Sequence, residues 1–237
     1  DRLRLDHVGL NHLSWITGVH DGDRDRLPEL LADHADDIAK ELKIAPRLLR
    51  ELNAVPSYYL RYYYAFDEVL EEQRSGYRRA DEVIELERRL LEMYADPTLD
   101  RKPDLLDDRG GAWYSEAAAR LLASLYDGAG DVQVVDVRNG GASPDLEPDD
   151  VVEVPARIDR SGAHPLPQAP MPEPIRELVV AVKRFERLAI RAGLSRQHDD
   201  IRTALEAHPL VGGRIGNVEP LLTALLEANR PYLRDLR

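Results

Sequence analysis

The stretch LDHVGLNHLSWITGV, residues 5–19, alternates apolar and polar side chains around Gly9 and Gly18. A strand or extended crossing reads this way, whereas a helix would return its apolar residues every three to four positions. The pattern places His12 on an extended segment, between Asn11 and apolar neighbours. After it the period changes. Apolar residues recur at helical spacing from Leu27 to Lys40, and Pro46 reads as the first turn of a short helix ending near Asn53. Pro56 opens a further helix in VPSYYLRYYYAFDEVLEEQ (55–73), with tyrosines on its early turns and acidic residues behind. RRADEVIELERRLLEMY (78–94) continues the helical pattern, with charge opposite Val83, Leu86, Leu90 and Met93.

Residues 96–108 form a polar connection with two prolines, and a helix from about Trp113 to Tyr126 ends at Gly128. DVQVVDVRNGG (131–141) and DDVVEVPARID (149–159) are the clearest strand pair. A proline-rich loop is expected from Ser161 to Pro174, then helices over 174–193, 196–207 and 217–226. Helices dominate, and strands do not alternate with them as βαβ units would. The expected fold class is α+β, mainly helical.

Composition limits the function. The 237 residues carry 43% hydrophobic side chains, enough for a real core, and 44 acidic against 32 basic groups give a formal net charge of -12. Such a surface repels polyanions, which argues against a nucleic-acid partner, though one arginine suffices for a small phosphorylated ligand. Without cysteine the chain forms no disulfide and offers no thiolate ligand. No apolar run approaches the ~20 residues of a membrane helix. Because patterned sequence begins almost at Asp1, the chain is expected to be a piece of a longer protein.

The candidate chemistry is sparse. A neutral imidazole such as that of His12 is a common metal ligand, but a lone histidine is more often a packed one, and no HExxH or acidic calcium loop accompanies it. Asn11 could offer an oxygen or simply make a turn. Pro56–Tyr64 holds five of the ten tyrosines, and helical spacing would put Tyr59, Tyr62 and Tyr63 on one face. For any one of them an aromatic packing stripe, with the hydroxyl reaching the surface, is the commoner explanation. A tyrosine acting as base needs a nearby cation, since a phenol ordinarily ionises near pH 10. Arg78, Arg79 and Arg109, the last before Gly110 and Gly111, are candidates for gripping an anion, although most such arginines are solvated or paired. LVGGRIGNVE (210–219) lacks the spacing and the preceding strand of a nucleotide loop, and His164 and His208 read as loop and helix-end residues.

GLNHLSW, VPSYYLRYYY, RRADEVIELERRLLEMY, RGGAWYSEAA, VVDVRNGGASPDLEPDDVVEVPARI and ALEAHPLVG with LLEANRPYL together resemble, in order, the C-terminal half of glycoside hydrolase family 4, especially its 6-phospho-β-glucosidases. Most glycosidases work with a pair of carboxylates, and this NAD-dependent family is an exception. The resemblance implies the family's lactate dehydrogenase-like C-terminal domain over residues 1–237, with the NAD-binding Rossmann domain and its metal-ligating cysteine outside the chain. It implies NAD and manganese as cofactors. NAD+ takes hydride from C3 of the sugar, a divalent metal holds the C2 and C3 oxygens, and a tyrosine removes the C2 proton. The glycosidic oxygen then leaves by elimination, water adds and the hydride returns. Carried over by motif, His12 is a metal ligand, Tyr59 the base, and Asn11 and Arg79 contact substrate, with Arg78 one register step from Arg79. No cofactor-binding residue is assigned within this chain.

The implied substrate is a phosphorylated disaccharide or aryl glucoside. Relatives acting on α-glucosides, galactosides or galacturonides define an alternative, and a non-catalytic interaction domain another. The full-length protein is expected to be a cytoplasmic homo-oligomer, a dimer or tetramer, with no nucleic-acid or membrane partner. The fragment alone is expected to be inactive.

Overall fold

The computed structural model describes residues 3–76, 78–110 and 114–233. The opening stretch is two strands rather than one extended crossing. β1 (Arg4–Leu10) and β2 (Leu13–Asp21) pair antiparallel from Arg4↔His20 to Leu10↔Leu13, leaving Asn11 and His12 as the turn. Asn-Gly is the usual sequence signal for so tight a hairpin. Here the left-handed conformation falls on His12 itself, at φ 61°. Gly9 is what lets the strands close: a Cβ there would lie 2.3 Å from the Leu13 carbonyl oxygen. The register slips between Asp6 and His7, a β-bulge within the hairpin.

β3 (Arg24–Asp25) extends this sheet, and α1 (Leu27–Leu42) and α2 (Pro46–Leu52) follow as the periodicity predicts. Asp25 Oδ1 accepts hydrogen bonds from the backbone N–H groups of Leu27 and Val19, fixing the entrance to α1. Pro56 does not open a helix. With Val55 it forms β4 (Val55–Pro56), paired to β2 through Trp15↔Pro56 and Ile16↔Val55. A two-residue edge strand tolerates the missing proline N–H. A 3₁₀ turn (Tyr58–Leu60), α3 (Arg61–Tyr64) and α4 (Phe66–Arg74) replace the single expected helix.

The remaining elements are α5 (Arg79–Tyr94), α6 (Leu105–Arg109), α7 (Tyr114–Asp127), β5 (Asp131–Arg138), β6 (Val151–Asp159), β7 (Gly162–Pro165), α8 (Glu173–Ser195), α9 (His198–Ala207) and α10 (Glu219–Asn229). α6 occupies the expected polar connection, and β7 begins the expected proline-rich loop, pairing with β6 in a sheet of order β5-β6-β7. Gly111 and Trp113 lie outside the described residues. The architecture is α+β and mainly helical.

The chain divides into two units. The first comprises residues 1–64, 134–155 and 165–237. Its main core joins Val8, Leu10 and Trp15 of the hairpin to Val152 and Val154 of β6 and to Ile175, Leu178 and Val179 of α8. A second cluster packs Leu27, Leu31, Ala35 and Ala39 of α1 on Leu49 of α2. The strand period is visible in β6, where Val152, Val154, Ala156 and Ile158 are buried and Glu153 takes the opposite face. The second unit, residues 65–133 and 156–164, contains α4 to α7.

Candidate active site

The hairpin turn and the tyrosine segment meet because β4 aligns one with the other. Beyond the β2–β4 pairs, the Ser57 backbone N–H donates to the Ser14 carbonyl at 2.8 Å, and the Ser57 hydroxyl donates to the His12 carbonyl at 2.7 Å. Two residues later, the Tyr59 ring lies against the His12 imidazole, with centroids 4.7 Å apart and planes tilted by 57°. Both side chains are exposed, Tyr59 at 53% of its surface. Tyr58 meets the Tyr59 ring edge-on and receives a 3.1 Å hydrogen bond from buried Arg61. The three tyrosines expected on one face separate: Tyr59 goes to His12 on the 3₁₀ turn, while Tyr63 packs on the core and against Tyr64.

A polar network that the motifs do not reveal lies beside His12. The Asn11 amide Nδ2 donates to Asp136 Oδ2 at 3.0 Å and to Glu153 Oε2 at 3.3 Å. His7 Nε2 lies 2.8 Å from Glu153 Oε1, with both side chains 18% exposed. Burial pushes the Asp136 carboxyl above its ordinary range, and the neighbouring Glu153 adds to this against the pull of Asn11, His12 and Lys183. For Glu153 burial works in the same direction, but the hydrogen bond and charge of His7, the nearby Ser14 hydroxyl and the hydrogen bond from Asn11 outweigh it and hold the carboxyl below its usual range. A strand of alternating valines gives no hint of this. The available signal is a lone acid at Glu153 within an apolar run.

Arg79 lies in the second unit at the start of α5. Its guanidinium donates to the Asp108 carbonyl at 2.7 Å and pairs with Glu82 at 2.6 Å. Arg78 precedes it as the extended residue before the helix. Arg109 ends α6 rather than entering a helix, 4.0 Å from Glu87. Among the described residues no group of three His, Cys, Asp or Glu side chains is placed to hold a metal. His12, on an exposed turn, fits a metal as a single nitrogen donor, and a complete site requires ligands from elsewhere. No described helix is long and apolar enough to cross a membrane.

The model of the family 4 glycosyl hydrolase C-terminal domain matches residues 7–211. A probable 6-phospho-beta-glucosidase of Bacillus subtilis (strain 168) is 33% identical over 244 residues, covering 98% of this chain and 55% of that protein. The 6-phospho-beta-glucosidase of Escherichia coli (strain K12) is 33% identical over 224 residues, covering 89% of this chain and 50% of that enzyme. Among solved structures, the 6-phospho-beta glucosidase from Thermotoga maritima with NAD and glucose-6-phosphate superposes with a TM-score of 0.87 at 31% identity, over 98% of this chain and 55% of that one. The same enzyme has also been solved with manganese, NAD+ and glucose-6-phosphate. The chain spans about half the length of these relatives. With the family model matched across both units, and with the strand pairing that brings His12 to Tyr59, the chain belongs to glycosyl hydrolase family 4 and represents its C-terminal domain.

Proposed function

We propose that this chain is the substrate- and metal-binding half of a 6-phospho-β-glucosidase, cleaving phosphorylated disaccharides or aryl 6-phospho-β-glucosides by NAD-dependent oxidation and elimination. The observation that carries it is the 4.7 Å approach of the His12 and Tyr59 rings on a turn locked by Ser57. The names of the relatives and the ligands in the Thermotoga maritima structures support the substrate class. When bound, NAD accepts the C3 hydride and manganese supplies positive charge at the sugar's C2 and C3 oxygens.

The chain's own residues supply the rest. His12 offers one imidazole nitrogen to the metal. Tyr59, exposed beside it, takes the C2 proton, and the short Ser57 bond to the His12 carbonyl keeps donor and base in one geometry. Asn11, next to His12, contacts a sugar hydroxyl. Arg79, at the entrance to α5, is assigned substrate contact, its planar fork suiting an anionic sugar. The Rossmann domain outside this chain holds NAD.

The proposal extends to the intact protein as a cytoplasmic homo-oligomer. A charged phosphosugar does not cross a bilayer unaided. Leu122 with Tyr126 on α7, and separately Ile190 with Leu194 on α8, offer exposed apolar side chains for further contacts. The test is turnover of an aryl 6-phospho-β-glucoside by the intact protein with NAD+, Mn2+ and a reductant, set against the unphosphorylated glucoside. Cleavage with a primary isotope effect for deuterium at C2 or C3 is the expected result. Cleavage without NAD+ would sink the mechanism, and equal use of the unphosphorylated glucoside would sink the substrate.

A further inference from the structure

Asn11 has one amide nitrogen with two hydrogens and one amide oxygen with two lone pairs. The nitrogen faces two carboxylates, Asp136 Oδ2 at 3.0 Å and Glu153 Oε2 at 3.3 Å. An ionised carboxylate only accepts hydrogen bonds, so this network fixes which end of the amide is which. The opposite end, Oδ1, therefore points away from both acids. Among the described residues no hydrogen bond to that oxygen is made.

Glu153 is the centre of the arrangement. One oxygen lies 2.8 Å from His7 on β1, and the other accepts from Asn11 in the turn. Thus a single side chain of β6, only 18% exposed, ties the first strand of the hairpin to the turn that follows it. The core fixes it from behind, since its neighbours Val152 and Val154 pack with Val8, Leu10 and Trp15. Asp136 of β5 supplies the second acceptor for the amide.

We infer that Glu153, assisted by Asp136, is a positioning residue that holds the Asn11 carboxamide with its oxygen turned outward beside His12, as an acceptor for a sugar hydroxyl. The assignment of Glu153 and Asp136 rests on hydrogen bonds within this chain, whereas the identity of the group that meets Asn11 rests on the proposed function. A charge-assisted hydrogen bond is about twice as strong as a neutral one, and its loss leaves the amide free to rotate.

The test is a double-substitution cycle in the full-length enzyme with Glu153→Gln, Asn11→Ala and both together, using an aryl 6-phospho-β-glucoside. Each single change is expected to lower kcat/KM on the order of tenfold or more, as for other lost orienting hydrogen bonds. The double variant should fall no further than Asn11→Ala alone, because Glu153 acts through Asn11. Multiplying losses, or wild-type kcat/KM in Glu153→Gln, overturn the inference. Asp136→Asn provides a second way into the cycle if Glu153→Gln fails to fold.

A neutron crystal structure of the full-length Glu153→Gln variant, or of Asp136→Asn in its place, shows by its amide deuterons which end of Asn11 is nitrogen and gives a readout independent of turnover. A carboxamide that keeps its orientation refutes the positioning role; a turned or mobile one supports it. If the unmodified enzyme does not cleave the phosphoglucoside, the proposed function fails, while this structure still decides whether the acids orient Asn11.

Discussion

His12 sits where most residues avoid being. At φ 61° a non-glycine side chain costs roughly 1 kcal/mol relative to glycine. Local strain of this kind is tolerated where function demands a side chain. His12→Gly in the full-length enzyme is therefore expected to leave stability within about 1 kcal/mol of wild type while removing most turnover. Tyr59→Phe should likewise abolish most turnover without unfolding the protein, since the ring contact survives and only the hydroxyl goes. Thermal unfolding and steady-state rates check both, and unchanged activity in either would remove that residue from the mechanism. These two residues are legible in the sequence because each belongs to a short motif. Glu153 and Asp136 are not: they reach Asn11 across 142 and 125 positions, a distance at which residue order carries no pairing information.

Tyr64 is a different case at the same scale. Burial pushes its phenol up to about 12. A pKa raised in the folded state above the ordinary value of about 10 favours folding below pH 10, and this contribution is lost as pH rises toward 12. The unfolding midpoint should thus fall between those values, and Tyr64→Phe should flatten the fall. A slope that is the same in both proteins would place the alkaline transition elsewhere.

At the scale of elements, the helices are the more readable part. α1, α2, α5 and α8 follow their apolar periodicity because each buries one stripe. Expectation and structure part where short-range rules yield to pairing. The hairpin turn is hidden because Asn-His lacks the glycine that usually marks one, and β4 resembles a helix start because its pairing to β2 is long-range. Gly9 is legible only as a glycine in a strand, yet the whole turn depends on it. Gly9→Ala would press a methyl group onto the Leu13 carbonyl and the Ser14 backbone at φ 133°. A cost of about 3 kcal/mol or more is expected, with loss of the Tyr59 alignment. A denaturant midpoint equal to wild type would contradict that account.

Asn139 does for the β5–β6 connection what Gly9 does for the hairpin. Fully buried, it donates to the carbonyls of Ser143, Leu146 and Glu147 and accepts from the Ser143 N–H at 2.6 Å. This one side chain organises the loop that returns β6 beside β5, and so places Glu153 near Asp136. Replacing it by alanine leaves several buried backbone groups without partners, at about 1–3 kcal/mol for each that water cannot reach. Asn139→Ala should therefore lower stability and weaken the Asn11 network together. Catalytic loss without any loss of stability would separate the two roles.

For the whole molecule, the decisive quantity is how much of a metal site one chain segment can supply. Manganese bound by a single imidazole remains mostly hydrated and exchanges readily, since a tight site gathers several donors at once. Among the described residues no such group exists, and His12 stands on an open turn. The isolated chain is accordingly expected to bind Mn2+ weakly, with a free-ion paramagnetic resonance signal almost unchanged by its addition and indifferent to His12→Ala. If, as proposed, further ligands and substrate oxygens complete the site in the full-length enzyme, that enzyme should quench the signal in the presence of NAD+ and glucose 6-phosphate, and His12→Ala should restore it. Strong, His12-dependent quenching by the isolated chain would instead mean that this domain completes the site unaided, and the division of labour between its two halves would have to be redrawn.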